Sequence, residues 1–261
     1  MMKISIITPS YNQGGFIEDT IRSVLDQNHD DVEHIVMDGG STDGTRSILS
    51  RYPHLKWTSE RDGGQSDAIN KGFRQATGEI LAWLNSDDYY EPNVFGDIAR
   101  YFAEHPDCML LFGDITFVNK DRQPLFGFTG DTISYERLIA CPDIVRQPSM
   151  FWRREVVREM GGVDESLHLV MDFDFFLRIG ARYRFHYLAR NLSYYRYYTE
   201  NKSLSMSRRQ VREIYRVYRK NGVRFKWPVV RYLLGKGAYA HGLAPVLKPL
   251  ADIFRGRGRP G

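Results

Sequence analysis

The chain predicts an α/β domain: a mostly parallel sheet flanked by helices, then a mixed second half and a helical, basic C-terminal tail. Three observations predict it. Short apolar runs rich in β-branched residues alternate with segments of helical periodicity, the connections are short, and polar clusters fall directly after the apolar runs.

Residues 3–7 (KISII) read as a buried strand stopped at Thr8-Pro9. Ile17, Ile21, Val24 and Leu25 then recur at helical spacing, with Glu18 and Asp19 near the helix start, where the dipole favours acids. A second strand, Val32 to Met37, is stopped by Asp38-Gly39-Gly40. A short helix over 43–51, a strand over 56–58 and a helix over 65–75 follow. A third apolar strand over 79–84 is stopped by Asn85-Ser86-Asp87-Asp88. After Asp88 the alternation loosens into a helix near 94–104, a strand over 109–113 and a hairpin through 115–128. A strand over 149–152, helices near 154–160 and 172–181, and a strand-like stretch over 192–197 complete it. In open parallel sheets the ligand lies outside the carboxyl ends of the strands. The clusters at 8–12, 38–44 and 85–88 all sit at such ends, so one pocket is expected to collect them.

At 261 residues, 42% hydrophobic and 26% charged, the chain suffices for one large domain or two modest ones and is not of disordered composition. Two cysteines, Cys108 and Cys141, exclude a disulfide framework and fit a reducing compartment; without Cys/His spacing a structural zinc site is not expected. The five-residue apolar stretch at the N-terminus is too short for a signal peptide, and no uncharged apolar run approaches the ~20 residues of a spanning helix. The expected location is therefore cytoplasmic. The net charge of +4 conceals an asymmetry: from residue 205 onward there are fourteen basic and two acidic residues, against 22 basic and 30 acidic before it.

Asp87-Asp88 is the most informative dipeptide. Adjacent carboxylates repel, and their ionised forms are best tolerated beside a cation; hard oxygen ligands suit Mg²⁺ or Mn²⁺, which often bridge to phosphates. A solvated turn is the plainer alternative. Asp38 could accept hydrogen bonds from a base or ribose, while Ser41 or Thr42 caps the next helix. Tyr11 offers a face for stacking on a base. Neither the dinucleotide glycine fingerprint nor a P-loop occurs.

Thr8-Pro9-Ser10-Tyr11-Asn12, Asp38-Gly39-Gly40-Ser41-Thr42-Asp43-Gly44 and Asn85-Ser86-Asp87-Asp88, in that order, resemble a family 2 glycosyltransferase of the inverting GT-A fold. The intervening Glu60 and Asn70-Lys71-Gly72 fit the same pattern, and the likeness runs over roughly residues 3–200. It implies a nucleotide-diphosphate sugar donor, UDP-linked in most such enzymes, and a hydroxyl acceptor on a glycan or lipid-linked molecule in cell-envelope polysaccharide assembly. Tyr11 would stack on the base in a slot shaped by Thr8 and Pro9, and Asp38 would hydrogen-bond the base. Asp87 would contact ribose or help hold the metal, and Asp88 would be a direct ligand of Mn²⁺ or Mg²⁺. Asp67 and Lys71, four apart on one helix, either pair with each other or reach the sugar or diphosphate. Asp172, opening a helix in Met171-Asp172-Phe173-Asp174, would be the catalytic base, with Asp174 competing for the role or pairing with Arg178. Gln147 and Arg196 would belong to the acceptor side. Family members often carry a histidine where this chain has Tyr198; Arg196 would neutralise phosphate or lie on the surface. A sugar nucleotidyltransferase and a non-catalytic sugar-nucleotide-binding protein are the rival readings.

The expected division is 1–204 as the transferase domain, with a nucleotide-binding half (1–90) and an acceptor-side half (91–204), and 205–261 as the tail. In the tail, Arg209, Arg212, Arg216 and Arg219 form one helical stripe and Val211, Ile214, Tyr215 and Tyr218 another. That helix either packs back on the domain or meets an anionic membrane surface. Nucleic acid is not an expected partner.

Overall fold

The computed structural model describes residues 2–198, 208–223 and Tyr232. Among the described residues nine strands form one mixed sheet. β1 (Ile4–Ser10) lies centrally, flanked in parallel by β2 (Val32–Asp38) and β4 (Ile80–Trp83), and β3 (Lys56–Ser59) adds in parallel outside β2. β8 (Met150–Arg153) runs antiparallel between β4 and β6 (Leu110–Val118). β9 (Phe185–Arg196) pairs in parallel with β6, and the two-residue β5 (Tyr89–Tyr90) pairs with β9. β1 to β4 are thus parallel to one another and the sheet is mixed beyond them, as expected. β7 (Pro124–Phe128) closes the hairpin on β6. The break expected between a strand at 109–113 and that hairpin does not occur: β6 runs through Gly113-Asp114, absorbing the irregularity as register shifts against β9.

Helices α1 (Ile17–Leu25), α2 (Thr45–Leu49), α3 (Gln65–Gln75) and α4 (Phe95–Glu104) return the chain between strands. α1 buries Ile17, Ile21 and Val24, the stripe that its sequence spacing sets on one face. α3 lies so close over β1 that a Cβ on Gly72 would meet Ile7 Cγ2 at 2.3 Å, so glycine is required there. α5 (Tyr135–Ala140), α6 (Arg154–Met160) and α7 (Met171–Gly180) cover the second half, where Phe73, Trp83, Trp152, Phe175 and Phe176 interlock.

α8 (Arg208–Lys220) packs back on the domain. Ile214, Val217 and Tyr218 are buried, the Tyr218 ring meets Phe173 edge-on at 5.6 Å, and Glu213 accepts the backbone N–H groups of His168 and Leu169 at 3.1 and 2.8 Å. Arg208, Arg212, Arg216 and Arg219 face outward. The boundary expected at 204/205 and the tail beyond Val223, Tyr232 apart, lie outside the described residues.

Away from the strand ends that carry the polar clusters, Glu33 is 5% exposed and ties three strands and a loop together. Its carboxylate accepts from Lys56 Nζ at 2.6 Å, from Thr77 Oγ1 at 2.9 Å and from the Ser5 hydroxyl. Burial alone would raise its pKa; these donors outweigh burial and hold it at about 2. A depressed carboxyl contributes stability that is present above its unfolded pKa and lost as pH falls through the folded one. Thermal unfolding should therefore show roughly 3 kcal/mol draining away between pH 4.5 and about 2, and Glu33→Gln should remove most of that acid-side slope.

Candidate active site

A cleft of about 710 Å³ opens at the carboxyl ends of β1, β2 and β4, where the sheet direction places it. Its lining includes Pro9 and Ser10 at the end of β1 with Tyr11 just after it, Gly39 and Gly40 after β2, and Asn85 to Asp87 after β4. Tyr195 and Tyr198 close it from the end of β9. The three polar clusters therefore share one cavity. Tyr11 stands 61% exposed, an open ring on the cleft wall.

Thr8 and Asp38 lie behind that wall. Thr8 is fully buried, its Oγ1 2.9 Å from His34 Nε2, and that imidazole is held neutral by burial. Asp38 is 2% exposed; its carboxylate accepts from the Ser41 N–H at 2.9 Å, the Ser41 hydroxyl, and Ser59 Oγ at 2.5 Å. Asp38 thereby fixes the backbone of Gly39 and Gly40, which do line the cleft. Gly64, at φ +108°, takes a backbone shape that side chains rarely allow, and delivers the start of α3 to the same wall. Asp67 and Lys71 pair at 3.2 Å, Lys71 also meets Glu60 at 3.0 Å, and Asp67 accepts the Gly63 N–H at 2.9 Å, so the pair braces this loop. That backbone bond and the lysine hold the Asp67 carboxyl below its ordinary range.

Asp87 lines the cleft, its Oδ2 accepting from the Tyr198 hydroxyl at 2.8 Å. Asp88 is 1% exposed behind it, accepting the Arg196 N–H at 3.0 Å on Oδ1 and Asn85 Nδ2 at 3.4 Å on Oδ2. Burial, and then the neighbouring Asp87 charge, push the Asp88 carboxyl well above its usual range despite these donors. Arg196 is not at the surface. Its guanidinium is buried between Phe16 and Tyr89, donates to the Asp87 carbonyl at 2.9 Å and pairs with Asp19. It holds the acidic loop from beneath.

Asn85 joins the two halves. Its Nδ2 donates to Gln147 Oε1 at 3.1 Å as well as to Asp88, and its Oδ1 accepts from Gln65 at 2.9 Å. Gln147 is buried and donates to the Trp83 carbonyl at 2.6 Å, which sets its acceptor oxygen toward Asn85. Gln65, Arg61 and Asp62 also line the cleft. The sequence alone gives none of the three a role, because a polar loop at a helix start looks the same whether or not it borders a cavity.

Asp172 sits in the first turn of α7 and is not itself part of the cleft lining. The loop leading to it is seated on α3: Ser66, next to Gln65, donates to the Leu167 carbonyl at 3.0 Å. Asp172 keeps a partly exposed edge, and its Oδ1 accepts the Phe173 N–H at 2.8 Å. Burial outweighs that bond, and with Asp143 nearby the carboxyl rises to about 6. Asp174 is fully buried and consumed by Arg178 at 3.0 Å, Asn221 at 3.1 Å and Lys220 at 3.3 Å.

Among the described residues no group of three or more His, Cys, Asp or Glu forms a ready metal cluster. The donor chemistry nonetheless fits a divalent cation. Two adjacent hard carboxylates, with Asp88 raised in pKa by burial and then by the Asp87 charge, are oxygen donors of the kind that Mg²⁺ or Mn²⁺ takes when substrate phosphates complete the shell.

An α/β sheet of this order, with an acidic pair and an open aromatic ring at its strand ends, is an architecture of the GT-A kind. Residues 5–161 match the family described as Glycosyl transferase family 2, and the chain belongs to it. A Mycobacterium bovis protein named PGL/p-HBAD biosynthesis glycosyltransferase is 31% identical over 180 residues, covering 67% of this chain and 68% of that one. A candidate teichuronic acid biosynthesis glycosyltransferase of Bacillus subtilis, TuaG, is 37% identical over 131 residues. That match covers 48% of this chain and about half (51%) of the Bacillus protein's length. The fold is that of Staphylococcus aureus TarS, solved with UDP-GlcNAc, at TM-score 0.70 and 20% identity over 91% of this chain and 73% of that one. It is equally that of the mannosyltransferase PcManGT from Pyrobaculum calidifontis, solved with GDP-Man and Mn²⁺, at TM-score 0.64 and 18% identity, covering 99% and 76%.

Proposed function

We propose that the protein transfers a hexosyl or N-acetylhexosaminyl group from a nucleoside-diphosphate donor, UDP-linked, to a hydroxyl of a glycan or lipid-linked acceptor, with inversion. The observation that carries this is the single cleft on which the Tyr11 ring and the Asp87 carboxylate both open, with Asp88 directly behind. Nucleotide sugars in the related folds, and a relative named for teichuronic acid biosynthesis, support it.

In this reading Tyr11 stacks on the base in the slot of Pro9, and Asp38 acts by setting the Gly39-Gly40 backbone against it. Asp87 and Asp88 would hold the divalent cation, Asp88 as the ligand that the family pattern assigns and Asp87 as the one facing the cleft. When bound, such a cation would supply neutralisation of charge on the departing diphosphate. Arg61 on the wall adds positive charge from the protein; Arg196 instead positions the acidic loop. Asp172 takes the acceptor's proton while the acceptor oxygen bonds to the anomeric carbon and the sugar–phosphate bond breaks on the opposite face. Gln147 and Asn85 link the acceptor side to the donor side. The enzyme works at the cytoplasmic face of the membrane, with the outward arginines of α8 adding attraction to anionic lipid. Among the described residues no helix is long and apolar enough to cross a membrane.

The test is a panel of UDP- and GDP-sugars incubated with Mn²⁺ and no acceptor. Slow release of nucleoside diphosphate from a UDP-sugar is expected. Formation of nucleoside triphosphate and sugar 1-phosphate when pyrophosphate is added would make the protein a nucleotidyltransferase, and tight binding with no release a non-catalytic binder.

A further inference from the structure

We propose that the aromatic face of the β6–β7 hairpin is a second binding site, one that takes the apolar aglycone of an amphiphilic glycoside acceptor. This rests on the reading of the neighbouring cleft as the donor site. The outer half of β6 pairs with β7 on one side and β9 on the other, and the register sets Phe117 opposite both Phe126 and Tyr195, and Ile115 opposite Phe128. Side chains at paired positions project from the same face. Phe117 and Phe126 stack at 4.5 Å, Phe117 and Tyr195 lie 5.0 Å apart, and Tyr197 meets Phe126 at 5.8 Å. Phe126, Phe128 and Tyr197 are nonetheless 47%, 44% and 38% exposed. Such a contiguous apolar surface is costly to leave in water and marks an interaction site.

Position and chemistry choose the occupant. Tyr195 belongs both to this cluster and to the lining of the cleft, so the face is the outward continuation of the cleft wall. A glycoside whose sugar hydroxyl reaches the donor trails its aglycone across it. Three of the five rings are phenylalanine and offer no hydrogen bond, which suits an alkyl or aryl group better than the hydroxyl-rich surface of a free glycan. The rings already hold one another in place, so little side-chain freedom is lost on binding.

The test compares transfer to methyl and octyl β-glycosides of the same sugar, the octyl forms below their micelle concentration. The octyl acceptor should show a KM lower by on the order of tenfold or more. In Phe126→Ser/Phe128→Ser that ratio should fall to near one, with slow donor hydrolysis unchanged, and Phe126→Leu/Phe128→Leu should keep it. Equal KM values in the wild type, or a ratio that survives the serine pair, overturns the proposal. So does an unchanged ratio accompanied by lost binding to phosphatidylglycerol vesicles, which makes the face a bilayer contact, or by lost dimerisation, which makes it a self-association surface. Calorimetric titration of octyl β-D-glucoside needs no donor: saturable binding abolished by the serine pair supports the site even where no nucleotide sugar is turned over, and its absence counts against it.

Discussion

Asp172→Asn should lower transfer on the order of 10²- to 10⁴-fold while leaving the dissociation constant of the donor within about twofold. Asparagine keeps an oxygen for the Phe173 N–H, which Asp172 accepts at 2.8 Å, so the turn at the start of α7 survives and only the proton acceptor is removed. The wild-type carboxyl sits at about 6 because burial disfavours its charged form. The charged form is the base, so transfer should climb as pH rises through about 6 and level off above it. The residual activity of the variant should lack that limb. Pre-steady-state transfer, measured beside donor binding by calorimetry across pH 5 to 8, separates the two effects. Transfer by the variant at the wild-type rate would place the base elsewhere.

Asp88→Asn should move function and stability in opposite directions. The strengthening of donor binding by Mn²⁺ should be lost, on the order of 100-fold, because one of two adjacent negative charges is gone. The melting temperature without metal should instead rise by a few degrees. The sign follows from the raised carboxyl pKa: its ionised form is disfavoured in the folded protein, so at neutral pH the charge weakens the fold, and a neutral amide that still accepts from the Arg196 N–H removes that burden. Arg196 keeps Asp19 as its counter-charge. Differential scanning fluorimetry with and without Mn²⁺ reads both outcomes. A lower melting temperature would mean that Arg196 stabilises the Asp88 charge by more than burial costs it.

The parallel half was legible because β1, β2 and β4 are apolar runs followed by polar stops and α1 carries a full apolar stripe. What escaped had no local signal. β5 is Tyr89-Tyr90, two residues behind a polar loop, and is a strand only because Tyr194 and Ser193 of β9 pair with it. β9 begins at Phe185, earlier than the stretch at 192–197 suggested, since His186 and Arg190 break the apolar pattern on a strand whose register comes from β6. α5 spans six residues, too few for periodicity to register. In the cleft, the sequence placed the polar clusters at one end of the sheet but not their depth. Asp38 ends a strand just as Asp87 follows one, yet Asp38 turns inward to Ser41 and Ser59 while Asp87 opens outward. Arg196 was poised between phosphate and surface, and tertiary packing buried it instead.

The way α8 closes over the second half has a practical corollary. Tyr218 donates its hydroxyl to the Ile139 carbonyl at 2.7 Å and caps Phe173, one residue from Asp172. A shortened protein ending before Arg208 would wet that seam and loosen the turn in which Asp172 sits. α8 is therefore not a detachable appendage: protease trimming through it would register as a slower enzyme before it registered as a misplaced one.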